Sequence, residues 1–138
     1  MRMIQAIPAL PVREITTAVD FYRDKLGFDS FYHEGGFARL RRSDVEIQLW
    51  EASDEDWKTR PAETPFRAVV SGAESFLAGT ASCRIAVQGI DDLYAEYKEK
   101  GALYDSETKI VTEWWGDRDF HALDQDRNLI TFFERPDS

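Results

Sequence analysis

Few side chains in this sequence are equipped for chemistry, and their spacing narrows what that chemistry is. Histidine occurs at His33 and His121, on segments that read as separate strands. With Glu34 or Asp119 as neighbours, either imidazole could ligate a metal or pass a proton near neutral pH. A surface or cavity-rim position is the expectation for both. The one cysteine, Cys83, lies in a strand-like run without a cue for a lowered pKa, so a buried, inert thiol is expected. A lone cysteine also excludes an internal disulfide and a cysteine-based zinc framework. More telling is the run 45–51, where Glu46, Gln48 and Trp50 alternate with Val45, Ile47 and Leu49 and Glu51 closes the segment. On a strand the first set shares one face and the apolar set the other. A carboxylate beside an indole suits a cation that carries flat rings. Phosphate-binding glycine loops, serine-centred elbows and paired glutamates are not among the motifs present. Arg39, Arg41 and Arg42 form a short basic patch, expected to be a solvated strand edge or to form internal ion pairs.

Composition points the same way. Four Trp, five Tyr and nine Phe make 13% of 138 residues aromatic, and the net charge is −9. That balance argues against binding a phosphate backbone and favours a cationic partner, which Glu46, Glu51 or the run Asp54, Glu55, Asp56 would meet. The length suits one domain with a core of its own. The opening Met-Arg-Met-Ile-Gln-Ala-Ile-Pro lacks the apolar stretch of a signal peptide, and no later run is long enough to span a bilayer. A soluble cytoplasmic protein is expected, without membrane or nucleic-acid partners.

The elements that must position these groups are legible from periodicity and punctuation. A strand is expected at 5–12, bent by Pro8 and Pro11. Ile15, Val19, Tyr22 and Leu26 recur at helical spacing, and Gly27 stops that helix. Strands follow at 28–33, 37–42 and 45–51, separated by Gly35-Gly36 and Ser43-Asp44. The stretch 52–81 reads as a crossover, too aromatic (Trp57, Phe66, Phe76) for a free linker. Then come a strand at 82–87, a helix marked by Ile90, Leu93, Tyr94 and Tyr97 and closed by Gly101, and strands at 109–113, 120–124 and 128–134.

Both halves therefore run βαβββ, and they align. A shift of 75 residues places Val12 on Val87, Ile15 on Ile90, Tyr22 on Tyr97 and Lys25 on Lys100. A shift of 83 places Phe37 on Phe120, Leu40 on Leu123, Ile47 on Ile130 and Glu51 on Glu134. The change of shift marks an insertion between the second helix and the strand starting at Phe120, near Trp114-Trp115-Gly116. By this alignment Ile130 and Phe132 face the helices, and Leu129, Thr131 and Phe133 lie opposite. Trp114 and Trp115, read as neighbours on a strand, should face opposite ways, Trp114 into the core and Trp115 into a cleft.

Tandem βαβββ units opened by Val-Arg-Glu-Ile-Thr-Thr-Ala-Val-Asp-Phe-Tyr-Arg-Asp-Lys-Leu-Gly-Phe and closed by Asp-Gln-Asp-Arg-Asn-Leu-Ile-Thr-Phe-Phe-Glu resemble the vicinal oxygen chelate superfamily. That superfamily includes glyoxalase I, ring-cleaving dioxygenases, fosfomycin-resistance enzymes and bleomycin-resistance proteins. The resemblance implies an α+β fold of two modules, about 4–51 and 82–135 within one domain 1–138, whose curved sheets surround a cleft. Superfamily enzymes hold a divalent metal with His, Glu or Gln from four strands. Those positions fall here on Ile7, Gln48, Ser82 and Thr131, so the resemblance carries no metal site, cofactor or catalytic residue across.

Within the superfamily the sequence is most similar to the metal-free bleomycin-resistance proteins. Ala6-Ile7-Pro8-Ala9-Leu10 resembles their opening, which is exchanged between two subunits. Phe31-Tyr32 with Gly36-Phe37-Ala38 resembles the aromatic rim of their drug cleft. Trp115-Gly116-Asp117-Arg118-Asp119-Phe120 resembles their Trp-Gly-x-Arg-Glu-Phe signature, with Asp119 in place of Glu. The implied function is non-enzymatic: a homodimer that sequesters a cationic, aromatic antibiotic and so confers resistance. The expected ligand-binding residues are Tyr32, Phe37, Glu46, Gln48, Trp50, Trp115 and Phe133. A metal-dependent enzyme of glyoxalase, thiol-transferase or dioxygenase type with a non-standard site is the alternative; a peptide-binding groove is a third reading.

Overall fold

The computed structural model describes residues 1–52 and 78–137. The predicted crossover, with Trp57, Phe66, Phe76 and the acidic run beginning at Asp54, lies mostly outside them. Module one comprises β1 (Ala9–Val12), α1 (Ile15–Phe21), a π-helical turn (Tyr22–Leu26), β2 (Asp29–Glu34), β3 (Phe37–Arg42) and β4 (Val45–Glu51). Module two comprises β5 (Ser82–Ala86), α2 (Ile90–Lys100), β6 (Val111–Thr112), β7 (Arg118–Leu123) and β8 (Leu129–Glu134). The sheets are ordered β1-β4-β3-β2 and β5-β8-β7-β6. In each, the first strand runs parallel to the last and the others are antiparallel.

The two sheets bury their inner faces in one core, and strand alternation decides which residues enter it. Leu10, Val12, Ala38, Leu40, Ile47 and Leu49 enter from the first sheet; Ile85, Phe120, Ala122, Ile130 and Phe132 enter from the second. Tyr22 and Tyr97, paired by the repeat, are both fully buried. The Tyr97 hydroxyl donates to the Leu26 carbonyl at 2.7 Å, and that of Tyr22 to Asp124 at 2.8 Å, so each buried phenol finds an acceptor in the other module.

The register confirms the repeat in detail. Ala9 lies opposite Gln48, and Arg84, 75 positions on, lies opposite Thr131, 83 positions on. One equivalence changes. Phe37 pairs with Trp50, whereas Asp119 pairs with Phe133, so β3 maps onto β7 with a shift of 82. Phe37 therefore corresponds to Asp119 and Leu40 to Ala122, instead of the expected Phe120 and Leu123. The cause is the last turn, which holds one residue more between Leu123 and Leu129 than the first holds between Arg41 and Glu46. The first helix likewise carries an extra residue relative to α2 and absorbs it as the π turn. Gly27 then closes that turn with φ 77°, and a Cβ there would meet the Arg42 guanidinium at 2.5 Å.

Other boundaries move for physical reasons. The strand expected from residue 5 begins at Ala9, because Pro8 offers no N–H and contributes only its carbonyl, to Gln48 N at 3.0 Å. Residues 1–6 are exposed, including Met1, Met3 and Ile4. Trp114 and Trp115 lie in the turn joining β6 to β7, closed by Gly116 N–H to the Glu113 carbonyl at 2.9 Å, and not on a strand. Trp114 is 91% exposed, against the expectation of a core residue.

Candidate functional site

What the core does not use is the outer face of each sheet. On the first sheet it carries Phe37, Arg39, Arg41, Glu46, Gln48 and Trp50; on the second, Arg84, Asp119, His121, Thr131 and Phe133.

On the first face three rings form a continuous aromatic wall. Phe37 and Trp50, opposite each other in the ladder, have centroids 4.4 Å apart, and Tyr32 joins at 5.8 Å from Phe37. Tyr32 is anchored by its hydroxyl, which donates to Glu34 at 2.8 Å. Trp50 is 39% exposed, so it presents a ring edge outward instead of filling the core. Aromatic pairs of this kind favour tilted or offset geometries.

Lower on the same face Glu46 is only 5% exposed. Arg39 grips both carboxylate oxygens, at 2.8 and 3.1 Å, and the Gln48 amide donates to one of them at 3.2 Å. The Arg39 guanidinium holds the Glu46 carboxyl below the usual carboxylate range. The basic patch is thus absorbed within the chain: Arg39 and, at 3.9 Å, Arg41 face Glu46, while Arg42 turns inward to Glu96 at 2.7 Å. Phe31, which the resemblance grouped with Tyr32 on an aromatic rim, sits beneath both Arg39 and Arg41 at 4.7 Å from each. A register shift between Ser30 and Tyr32 accompanies this placement.

On the second face Phe133 is nearly buried, with the Arg84 guanidinium 4.7 Å above its ring. His121 Nδ1 lies 2.8 Å from the Thr131 hydroxyl. Beyond them the turn presents Trp115, half-exposed, and Trp114, their rings edge to face at 5.4 Å. His33 stands on the exposed β2, in the other module, so the structure does not bring the two histidines into one site. Burial raises the Cys83 thiol to about 11, which leaves it protonated and unreactive at neutral pH.

The four positions that would hold a metal do not fit one. Ile7 has no donor atom, the Gln48 amide is bonded to Glu46, and the Thr131 hydroxyl is engaged by His121. Ser82, opposite Leu129, adds one hydroxyl. An amide and two hydroxyls lack the imidazole and carboxylate donors that divalent transition metals prefer. Among the described residues, no group of three or more His, Cys, Asp or Glu could hold a metal ion. A cavity of about 620 Å³ also opens at the seam between the modules, beside Val45, Val87 and Leu93. It is spanned by the Arg42–Glu96 pair and shares no residue with the aromatic wall.

Comparison with known proteins accounts for this architecture. Residues 5–132 match the model of the Glyoxalase/Bleomycin resistance protein/Dioxygenase superfamily. Bleomycin resistance proteins from Geobacillus stearothermophilus and Staphylococcus aureus are 53% identical over 133 residues, covering 96% of this chain and 98% of theirs. Among solved structures, a bleomycin resistance determinant encoded on the transposon Tn5 superposes with a TM-score of 0.71 at 22% identity, covering 97% of this chain and 99% of that one. The bleomycin-binding protein of bleomycin-producing Streptomyces verticillus, complexed with copper(II)-bleomycin, gives 0.70 at 21% identity, with 96% of each chain covered. The paired βαβββ modules, their shared core and the match over nearly the whole chain place this protein in the glyoxalase/bleomycin resistance protein/dioxygenase superfamily.

Proposed function

We propose that the protein binds a bleomycin-type antibiotic and confers resistance by sequestering it, without making or breaking a bond. The observation that carries this reading is the aromatic wall of Tyr32, Phe37 and Trp50 in a chain whose 53%-identical relatives are bleomycin resistance proteins. A flat heteroaromatic group stacks on such a wall, and a net charge of −9 attracts the drug's cationic tail. In the metal-enzyme alternative the same positions would have to supply donors, and they do not.

The reading includes a homodimer of the single domain 1–138. Both outer faces are turned away from the shared core, so a wall from each of two chains makes a cleft. The exposed residues 1–6 supply the means. In module two the parallel ladder begins at Ser82 opposite Leu129, and its counterpart in module one would be Ile7 opposite Glu46. That ladder instead begins at Ala9, leaving the first residues of β4 without a β1 partner in the same chain. An N-terminal strand exchanged with a second copy completes the edge and covers Met3 and Ile4. Tyr32, Phe37, Gln48 and Trp50 then line the cleft from one protomer, and Trp115 and Phe133 from its partner. Glu46 contributes by positioning Arg39. Interception takes place in the cytoplasm, before the drug reaches DNA.

Calorimetric titration of metal-stripped protein with bleomycin tests the proposal. The expected result is micromolar or tighter binding near one drug per chain, with quenched Trp fluorescence. Phe37→Ala should weaken binding by about tenfold through lost stacking and burial. No heat and no fluorescence change with the parent protein would overturn the assignment.

A further inference from the structure

We propose that the cavity at the seam between the modules is the seat of Ile4 and Ala6 from a second copy of the chain. The inference rests on the homodimer reading and adds to it where the side chains of the exchanged arm go. The repeat carries the argument, because it builds the same junction twice. In module two the residues just before β5 close that junction. Ala81 packs against the core, its carbonyl accepts from Leu129 N at 3.0 Å, and its amide donates to the Asn128 side chain at 3.2 Å. Gly79 approaches the turn after β7 so closely that a Cβ on it would meet the Asp126 carbonyl oxygen at 2.6 Å. Asn128 then crosses the seam to donate to the Pro11 carbonyl at 2.7 Å. That end of the seam is closed.

In module one the counterparts of Gly79 and Ala81 are Ile4 and Ala6, and those of Asp126 and Asn128 are Ser43 and Val45. Here the preceding residues do not close the junction: Ala6 is exposed and Ile4 is 84% exposed. Across the seam the counterpart of Pro11 is Ala86, and Val45 has no polar group with which to reach it. At this point lies the cavity of about 620 Å³, whose lining includes Ser43, Val45 and Ala86 together with the apolar Ile85, Val87 and Leu93. The module that keeps its leading residues against the turn has a closed seam. The module whose leading residues project outward has a cavity at the equivalent place.

Register selects the side chains that enter. Ala9 lies opposite Gln48 and Leu10 opposite Leu49, so a ladder continued toward the N-terminus places Ala6 opposite Val45 and Ile4 opposite Ser43. Leu10 and Val12 are buried on the inner side of the sheet, and alternation gives that side to Ile4 and Ala6 as well. In its own chain the arm leaves the edge beyond Pro8, whose carbonyl accepts from Gln48 N at 3.0 Å. A second copy related by a twofold axis returns the same segment to each of the two cavities. Charge agrees, since the rim carries Asp44 and Asp92 and the arm carries Arg2. The cleft between two chains and the seam within each are then completed by one event.

The test is disulfide trapping in a Cys83→Ala background with Ala6→Cys and Val45→Cys, which a seated arm brings opposite each other at a spacing a disulfide can bridge. On oxidation with oxidised glutathione the expected result is a covalent dimer on a non-reducing gel, each bond joining two chains. Bonds formed within one chain would overturn the second copy as the occupant. No bond in a protein that sediments as a dimer would overturn the seat in the cavity and leave the homodimer reading standing. A parent protein that sediments as a monomer would overturn that reading and the proposal with it. Independently, Ile4→Asp should raise the dimer dissociation constant by about a hundredfold, because a carboxylate replaces an apolar contact at both seams. Ile4 is exposed in the single chain, so the circular dichroism of the variant should match the parent's. An unchanged dissociation constant would overturn the proposal.

Discussion

At the scale of single residues, Glu46 illustrates how burial and partnership give a carboxylate on the outer face a structural role. Glu46 gains a fork from Arg39 that satisfies both oxygens, and it lies directly across the ladder from Arg41. Replacing it by glutamine keeps the shape and one acceptor while discarding the charge. The expected outcome for Glu46→Gln is a melting temperature lowered by a few degrees, with a bleomycin dissociation constant within about threefold of the parent's. Thermal denaturation and calorimetry on the same preparation check it. A large loss of affinity at unchanged stability would give Glu46 the cation-binding role that its spacing suggested. The sequence showed that Glu46, Gln48 and Trp50 share a face, because alternation on a strand is strict. It did not show the Arg39 fork, since cross-strand partners depend on register, and register is set by turns that composition describes only loosely.

At the scale of elements, α1 and α2 each have the N-terminus closed by a glutamate, and these two glutamates are recruited differently. Glu14 immediately precedes α1 and accepts from Thr16 N at 3.0 Å and Thr17 N at 2.7 Å. In α2 the cap comes from a distant strand: Glu134, at the end of β8, accepts from the amides of Gly89 and Ile90 at 3.1 and 3.2 Å. The hydroxyl and amide of Thr17 and the amide of Thr16 draw the Glu14 carboxyl down to about 2 from an ordinary 4.5. A carboxyl whose folded pKa is depressed stabilises the fold above its unfolded value and loses that contribution as pH falls through the interval. Glu14→Gln should therefore melt below the parent at pH 6, and the gap should close progressively from about pH 5 downward. Thermal melts at pH 6, 5, 4 and 3 test this, and a gap independent of pH would assign the effect to lost hydrogen-bond geometry alone. Element order, both helices and the strand Val45–Glu51 were legible because they follow hydrophobic period and glycine stops. The insertion before β7 was legible as a change of shift. Its conformation was not, because two tryptophans in succession satisfy a strand pattern as readily as the exposed turn they occupy.

At the scale of the whole molecule, the departure from exact repetition is what locks the halves together. Between paired residues the turn after β7, 124–128, is one residue longer than its counterpart 42–45, and that longer turn folds onto module one. Asn128, fully buried there, donates to the Pro11 carbonyl at 2.7 Å and to Asp124 at 2.9 Å, and accepts from Ala81 N at 3.2 Å. Asp124 in turn accepts from the Tyr22 hydroxyl and from the amides of Asp126 and Asn128. Burial still pushes its carboxyl above the ordinary value, although those donors pull it down. The network thus ties β1, the first helix and the β7–β8 turn through Asn128 and Asp124, at a seam also joined by the Tyr97 bond to Leu26, the Arg42–Glu96 pair and the Lys25 bond to the Lys100 carbonyl at 3.0 Å. Truncating Asn128 leaves a carbonyl, an amide and a carboxylate in a dry environment. Asn128→Ala should cost about 2–4 kcal/mol of stability. Because the seam is weakened more than either sheet, urea unfolding should also lose its single transition, with Trp fluorescence and far-ultraviolet circular dichroism no longer coincident. A loss below about 1 kcal/mol with coincident probes would mean that the apolar core alone holds the modules in the arrangement that turns their outer faces toward a second chain.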